Sequence, residues 1–216
     1  AFLAAQVAQA TVYNDAVGDL HDGTGGGADF TGFTHLDLVS LEILNNATDI
    51  MFTITLAGDP VATDWGKYMI AIDSVPGGDT VGNGWARPIS MPSGMDFWIG
   101  SWVDAGNGAE TYSWDGALWN LDNATWNPPS DILVPTKDAT SVTITTTLAS
   151  LGLGIGDTFT FDVFSSGGGG TDSAVDALSD PSPSIDDWGT PYVSAPSDTY
   201  TVIPEPATLS MLLIGL

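Results

Sequence analysis

The chain has 216 residues, with 27 acidic and three basic side chains and a formal net charge of -24. So little positive charge excludes nucleic acid as a partner, since nothing basic could neutralise its phosphates. The absence of cysteine excludes disulfides, thiolate metal sites and cysteine nucleophiles.

At the start, "AFLAAQVAQA" reads as the end of an apolar targeting segment closing on Ala8-Gln9-Ala10. That small-x-small pattern would be cut before Thr11, which implies export. Asn14, Asp15, Asp19, Asp22 and Asp29 follow, in a stretch rich in glycine. Hard divalent cations take six to eight oxygen ligands at flexible angles, so this stretch is a candidate calcium loop, although it lacks EF-hand spacing. We expect Asp15, Asp19 and Asp22 to serve as ligands. A second acidic group (Asp172, Asp176, Asp180, Asp186, Asp187) lies near the other end of the domain. First and last strands of a sandwich are often neighbours, so Asp176 joins the expected ligand set. The competing expectation is an acidic surface loop built from Asx turns.

Between these groups the pattern is β with almost no helix. "HLDLVSLEIL" (residues 35–44) alternates but changes phase near Val39-Ser40, which predicts a β-bulge. "IMFTITLA" (50–57) sends Ile50, Phe52, Ile54 and Leu56 to one face and Met51, Thr53 and Thr55 to the other. "KYMIAIDS", "MDFWIGSWV", "SVTITTTL", "DTFTFDVF" and "DTYTVI" are further strands, and Leu148–Gly154 reads as a single helical turn. "AETYSWDGALWNL" is a hairpin, with Asp115-Gly116 expected to form its type I′ turn. Short strands divided by Gly, Pro, Asn and Asp predict an all-β fold. We expect one antiparallel two-sheet β-sandwich, jelly-roll or immunoglobulin-like, over residues 11–203.

Tryptophan supplies the main binding signal, with eight in the chain. In "MDFWIGSWV" the residues Asp96, Trp98 and Trp102 share one face, opposite Phe97, Ile99 and Val103. If the latter face packs the core, two indoles and a carboxylate stand outward. This is a surface suited to stacking on sugar rings and accepting their hydroxyl protons, so these three residues are the expected carbohydrate site. No G-x-S-x-G elbow, H-E-x-x-H or phosphate-binding loop occurs, and no particular carboxylate pair is marked for glycosidase chemistry. The reading is therefore non-catalytic.

The end of the chain, Pro204-Glu205-Pro206 running into "ATLSMLLIGL", carries no charge after Glu205. It resembles the PEP-CTERM sorting signal of Gram-negative bacteria, in which Pro-Glu-Pro precedes a membrane span and a basic cluster. The resemblance covers about the last thirteen residues. It implies a transient inner-membrane anchor, processing by an exosortase, and a place in the cell envelope or biofilm matrix. Both ends read as pieces of longer segments, with the apolar helix truncated. The domain between them, with "YNDAVGDLHDGTG" leading into "LDLVSLEILNNATDIMFTITLAG", is similar in its order of elements to DOMON and CBM9-like sandwich modules. That likeness implies binding of carbohydrate, or in some branches haem, with structural calcium in several members. Three functions are expected in turn: a polysaccharide-binding envelope protein, a ligand-free structural matrix or surface component, and a secreted glycoside hydrolase.

Overall fold

The computed structural model describes residues 10–126, 129–196 and 198–204. The end of the targeting segment before Ala10, and Glu205, Pro206 and the apolar stretch after them, lie outside the described residues.

Alternating apolar residues make the long strands, which assemble into two antiparallel sheets. The first contains β1 (Thr11–Asn14), β2 (Leu38–Asn45), β3 (Asp49–Leu56), β9 (Val134–Lys137) and β10 (Ser141–Thr147), in the order β1-β2-β3-β10-β9. The second contains β4 (Lys67–Asp73), β6 (Phe97–Trp102), β7 (Gly108–Trp114), β8 (Trp119–Ala124), β11 (Thr158–Ser166), β12 (Asp176–Ala177) and β14 (Thr199–Thr201). Its order is β12-β11-β4-β6-β7-β8, with β14 also pairing β11. A short parallel pair joins β5 (Ile89–Ser90) to β13 (Tyr192–Val193). The fold is thus a two-sheet antiparallel sandwich, and its helical content among the described residues is single 3-10 turns, one of them at Ala149–Leu151.

Several local expectations hold. The register of β2 against β3 shifts between Leu38 and Ser40, at the expected bulge. Ile50, Phe52, Ile54 and Leu56 are buried, while Met51, Thr53 and Thr55 are only partly covered. The Asp115 hairpin differs. Its loop runs from Asp115 to Leu118, and Gly116 alone among the four has positive φ, at 95°. Asp115 Oδ1 accepts the backbone N–H groups of Ala117 and Leu118, so an Asx turn replaces the type I′ turn.

Two hydrophobic cores share the second sheet. Between the sheets, Leu41, Ile43, Phe52, Ile54, Val142 and Ile144 meet Tyr68, Ile70, Ile72, Ile99, Phe159 and Phe161. On the other face, Met69, Ala71, Trp98 and Phe164 are covered by loop residues, including Leu20, Phe30, Met91, Met95 and Val175, and by Tyr192 of β13. Each large apolar side chain taken out of water contributes about 1.5–3 kcal/mol. Strand β4, central in its sheet, is buried on both faces. The long connections between strands therefore form a third layer.

Candidate functional site

The outer face of β6 and β7 supplies the floor of one candidate site. Trp98 and Trp102 stand on the outer face of β6, as the alternation predicted, but their exposure differs from expectation. Trp98 is fully buried, stacked on Phe164 with ring centroids 6.0 Å apart, because the loop layer closes over this part of the sheet. It cannot meet a ligand from solvent. Asp96 is also buried; its Oδ2 accepts the backbone N–H groups of Ser74 and Val75, which anchors a loop instead of reaching outward.

Trp102 lies further along the strand, where the loop layer stops. There, Lys67, Trp85, Arg87, Trp102, Asp104, Glu110, Trp126 and Gly170 line an open cleft of about 430 Å3. That volume is ordinary for a small-ligand site. The indoles of Trp85 and Trp102 lie directly on backbone that has no side chain. A Cβ placed on Gly100 would come within 2.2 Å of the Trp85 ring, and one on Gly108 within 2.1 Å of the Trp102 ring. The two rings sit 6.3 Å apart at 41°, a continuous tilted wall rather than a parallel sandwich.

Glu110, across the ladder from Gly100, orders this wall. Its Oε2 accepts from Trp85 Nε1 at 2.7 Å and from the Tyr112 hydroxyl at 2.8 Å, and its Oε1 accepts from Trp126 Nε1 at 2.6 Å. Trp126 is otherwise 49% exposed, so this hydrogen bond fixes a ring that solvent would leave free. Lys67 Nζ, also in the lining, donates to Asp104 Oδ1 at 2.6 Å. The site needs residues from three strands, β4, β6 and β7, and from four of the connections between strands. Sequence spacing signalled only Trp102; the G-x-W and G-x-E alternations at Gly100–Trp102 and Gly108–Glu110 were the local trace of the rest.

A second candidate site lies where the two sheets meet. β1 ends at Asn14 and the loop bearing Asp15 and Asp19 begins, while Asp37 directly precedes β2 and Asp176 opens β12. Carboxylate oxygens of Asp19, Asp37 and Asp176 all lie within 4.8 Å of one another. Asp37 accepts from Gly18 N at 3.1 and 3.0 Å, and Asp176 Oδ2 accepts from Leu38 N at 2.7 Å. Both oxygens of Asp19 and Oδ2 of Asp15 are buried without a hydrogen-bond partner. Burial pushes the Asp15 carboxyl up to about 7, with the charges of Asp19, Asp162 and Asp37 adding to the rise. Burial, followed by the charges of Asp15 and Asp19, holds Asp176 well above the usual carboxylate range. Asp19 and Asp37 are raised too, burial again being the largest cause.

Orphaned carboxylate oxygens gathered from separate segments fit a hard divalent cation, which would satisfy the oxygens and offset their repulsion. Of the expected ligands, the fold brings Asp19 and Asp176 together and sets Asp15 within electrostatic reach. Asp37 was not anticipated, because one aspartate before a strand carries no metal signature in sequence. Asp22 is not part of the group: its Oδ1 accepts from Thr24 N at 3.0 Å in an exposed turn that bridges to Asp29.

The remaining tryptophans are structural. Trp65 and Trp188 pack with Phe30, Phe33 and His35, and Trp114 lies against Trp119, whose Nε1 donates to Asp79 Oδ2. Burial lowers the His35 imidazole to about 4, so it is neutral at physiological pH. Family models, curated proteins and solved structures return no match to this chain, so the candidate sites stand on their own geometry.

Proposed function

We propose that the chain is an exported protein of the cell envelope or extracellular matrix, non-catalytic, whose β-sandwich binds polysaccharide and whose loops are braced by calcium. Export and exosortase sorting rest on the Ala8-Gln9-Ala10 and Pro204-Glu205-Pro206 motifs, and a DOMON or CBM9-like module is the finer fold this reading adopts. The observation that carries the binding proposal is the cleft of Trp85, Trp102 and Trp126, with one carboxylate, Glu110, holding two of its indoles by their N–H edges. Fixed aromatic faces beside polar groups suit the alternating apolar and hydroxyl surface of a sugar ring. The binding surface proposed here keeps Trp102 and replaces Trp98 and Asp96 with Trp85, Trp126 and Glu110.

The test is a titration of the protein with a panel of polysaccharides in excess calcium, following tryptophan emission. A saturable change that Trp126→Ala abolishes, with thermal stability kept, supports the proposal; silence across the panel overturns it. The second reading, a structural matrix component, is favoured by the carboxylate group at Asp15, Asp19, Asp37 and Asp176, which would make assembly calcium-dependent. A rise in mass by light scattering on adding calcium, without any glycan, would select it. Asp104 and Glu110 share the cleft, so release of reducing ends from the same panel would point instead to a glycoside hydrolase.

A further inference from the structure

The three basic residues of the chain converge on one place. Lys67 and Arg87 line the tryptophan cleft, and Lys137 Nζ donates to the carbonyl of Val103, between cleft residues Trp102 and Asp104. Arg87 is the anomalous one. It is 6% exposed, yet in a chain with 27 acidic residues no carboxylate comes within ion-pair distance of it, Lys67–Asp104 being the one ion pair among the described residues; the charge of Asp172 acts on it from further away. Its Nη1 donates to Ser166 Oγ at 2.7 Å and to the backbone carbonyl of Asp172 at 2.8 Å, and its Nη2 to the Gly167 carbonyl at 3.3 Å. These three bonds leave two of its five N–H groups available to solvent or a ligand. A guanidinium carries five donors, and buried cations are ordinarily paired.

The carboxylates that share the cleft do not fill that gap. Glu110 spends its oxygens on Trp85, Trp126 and Tyr112, and Asp104 Oδ1 is taken by Lys67. Asp172 gives Arg87 a main-chain acceptor, and its carboxylate acts only from beyond ion-pair distance. The aromatic wall is thus flanked by a planar donor fork with N–H groups to spare and by an ammonium, and no carboxylate of the cleft is hydrogen-bonded to the fork. Resting on the glycan-binding reading of the same cleft, the geometry points to an acidic glycan as the ligand class. The Arg87 guanidinium lies over the Trp85 ring, 5.5 Å from its centroid, so a sugar ring lies on Trp102 beside that pair and its carboxylate meets Arg87, with Lys67 as the second cation. Arg binds carboxylate in a bidentate manner, and such charge-assisted pairs are the stronger hydrogen bonds. The protein's overall negative charge does not prevent this, because exposed charges are screened beyond about 8 Å at physiological salt.

The experiment compares short oligogalacturonates and oligoalginates with the methyl-esterified oligogalacturonate of equal length and with neutral oligosaccharides. All are titrated into the protein in excess calcium at about 0.15 M and about 1 M salt. The ester keeps the ring and removes the charge, so the comparison does not depend on a protein variant. The expected result is a free acid that binds about tenfold tighter than its ester at the lower salt. The gap should close at the higher salt and shrink with Lys67→Gln. Arg87→Lys, which keeps the charge and loses the fork, should weaken the acid more than the ester; if it fails to fold, Lys67→Gln and the ester still decide. Equal binding of acid and ester, or binding of neutral glycans alone, overturns the acidic class and leaves glycan binding standing. Binding of no glycan at all overturns both.

Discussion

The two faces of the seven-stranded sheet are built from different side chains. The inner face meets the other sheet through Ile, Leu, Val and Phe in strict alternation, with Ile70, Ile72, Ile99 and Phe161 as examples. The outer face carries Met69, Ala71, Trp98 and Phe164, and its cover comes from loops and the short β5–β13 pair rather than from a full second sheet. Flat aliphatic packing suits two regular surfaces of equal pleat. Irregular loops leave irregular gaps, which suit Met, Trp and Tyr, and their polar backbone must be tied by side chains such as Asp96 and Asp162. The difference teaches that a face of a strand can be read from alternation, whereas the identity of its cover cannot. It also explains where the two candidate sites lie: the cleft opens where the loop layer ends, and the carboxylate group sits where that layer is fastened to both sheets.

The largest effects should come from removing either core. Phe52→Ala, at the inner face, and Trp98→Ala, at the outer, should each lower unfolding stability by about 3–5 kcal/mol. If denaturant melts show Trp98→Ala costing less than about 1 kcal/mol, the outer layer is a loose cover and the two faces are not equivalent cores. Next is the fastening. Saturating calcium at about 100 times its dissociation constant should add about 2.7 kcal/mol, and Asp37→Asn should remove most of that gain. Since the inner core contains no tryptophan and the outer one contains Trp98, chelation should red-shift tryptophan emission well before global unfolding. A melting temperature indifferent to both calcium and EDTA would leave the carboxylate group without a cation.

A pH series sharpens the same point. Burial pushes Asp15 up to about 7 and Asp162 up to about 6, and holds Asp176 well above the usual range. Folded-state values above the unfolded value of about 3.9 mean that the folded form holds these protons more tightly. Their contribution is full below about pH 4 and is lost as the pH rises through about 6 to 7. In EDTA the melting temperature should therefore fall between about pH 5 and about pH 8, and the gain from calcium should grow over the same interval, because metal and protons compete. A melting temperature that climbs with pH in EDTA would contradict the burial of these groups. In the cleft, Glu110→Gln turns one acceptor into a donor facing indole N–H groups. It should weaken glycan binding about tenfold with little change in melting temperature. A Glu110→Gln protein that binds normally would show that the indoles need no anchor. The smallest effect belongs on the outside of the five-stranded sheet. Thr143→Val, which breaks the 3.1 Å contact with the Thr53 hydroxyl, should stay within about 0.5 kcal/mol.

What the amino-acid sequence determined by itself was local. Alternation in Ile50–Leu56 and Phe159–Val163 set which side chains go inward, and the phase change at Val39-Ser40 set a bulge. Short alternating runs divided by Gly, Pro, Asn and Asp set an all-β chain. These are consequences of a two-residue period, and they need no knowledge of distant neighbours. The tertiary structure alone decided that the outer face of β6 is closed at Trp98 and open at Trp102. It alone decided that Asp37 joins Asp19 and Asp176 while Asp22 turns away, and that Arg87 ends over the Trp85 ring with no carboxylate at ion-pair distance. Each of these depends on how long loops fold over a sheet and on which separated segments they bring together. Glycine and aspartate permit many such paths, and only the packing of the whole chain selects one.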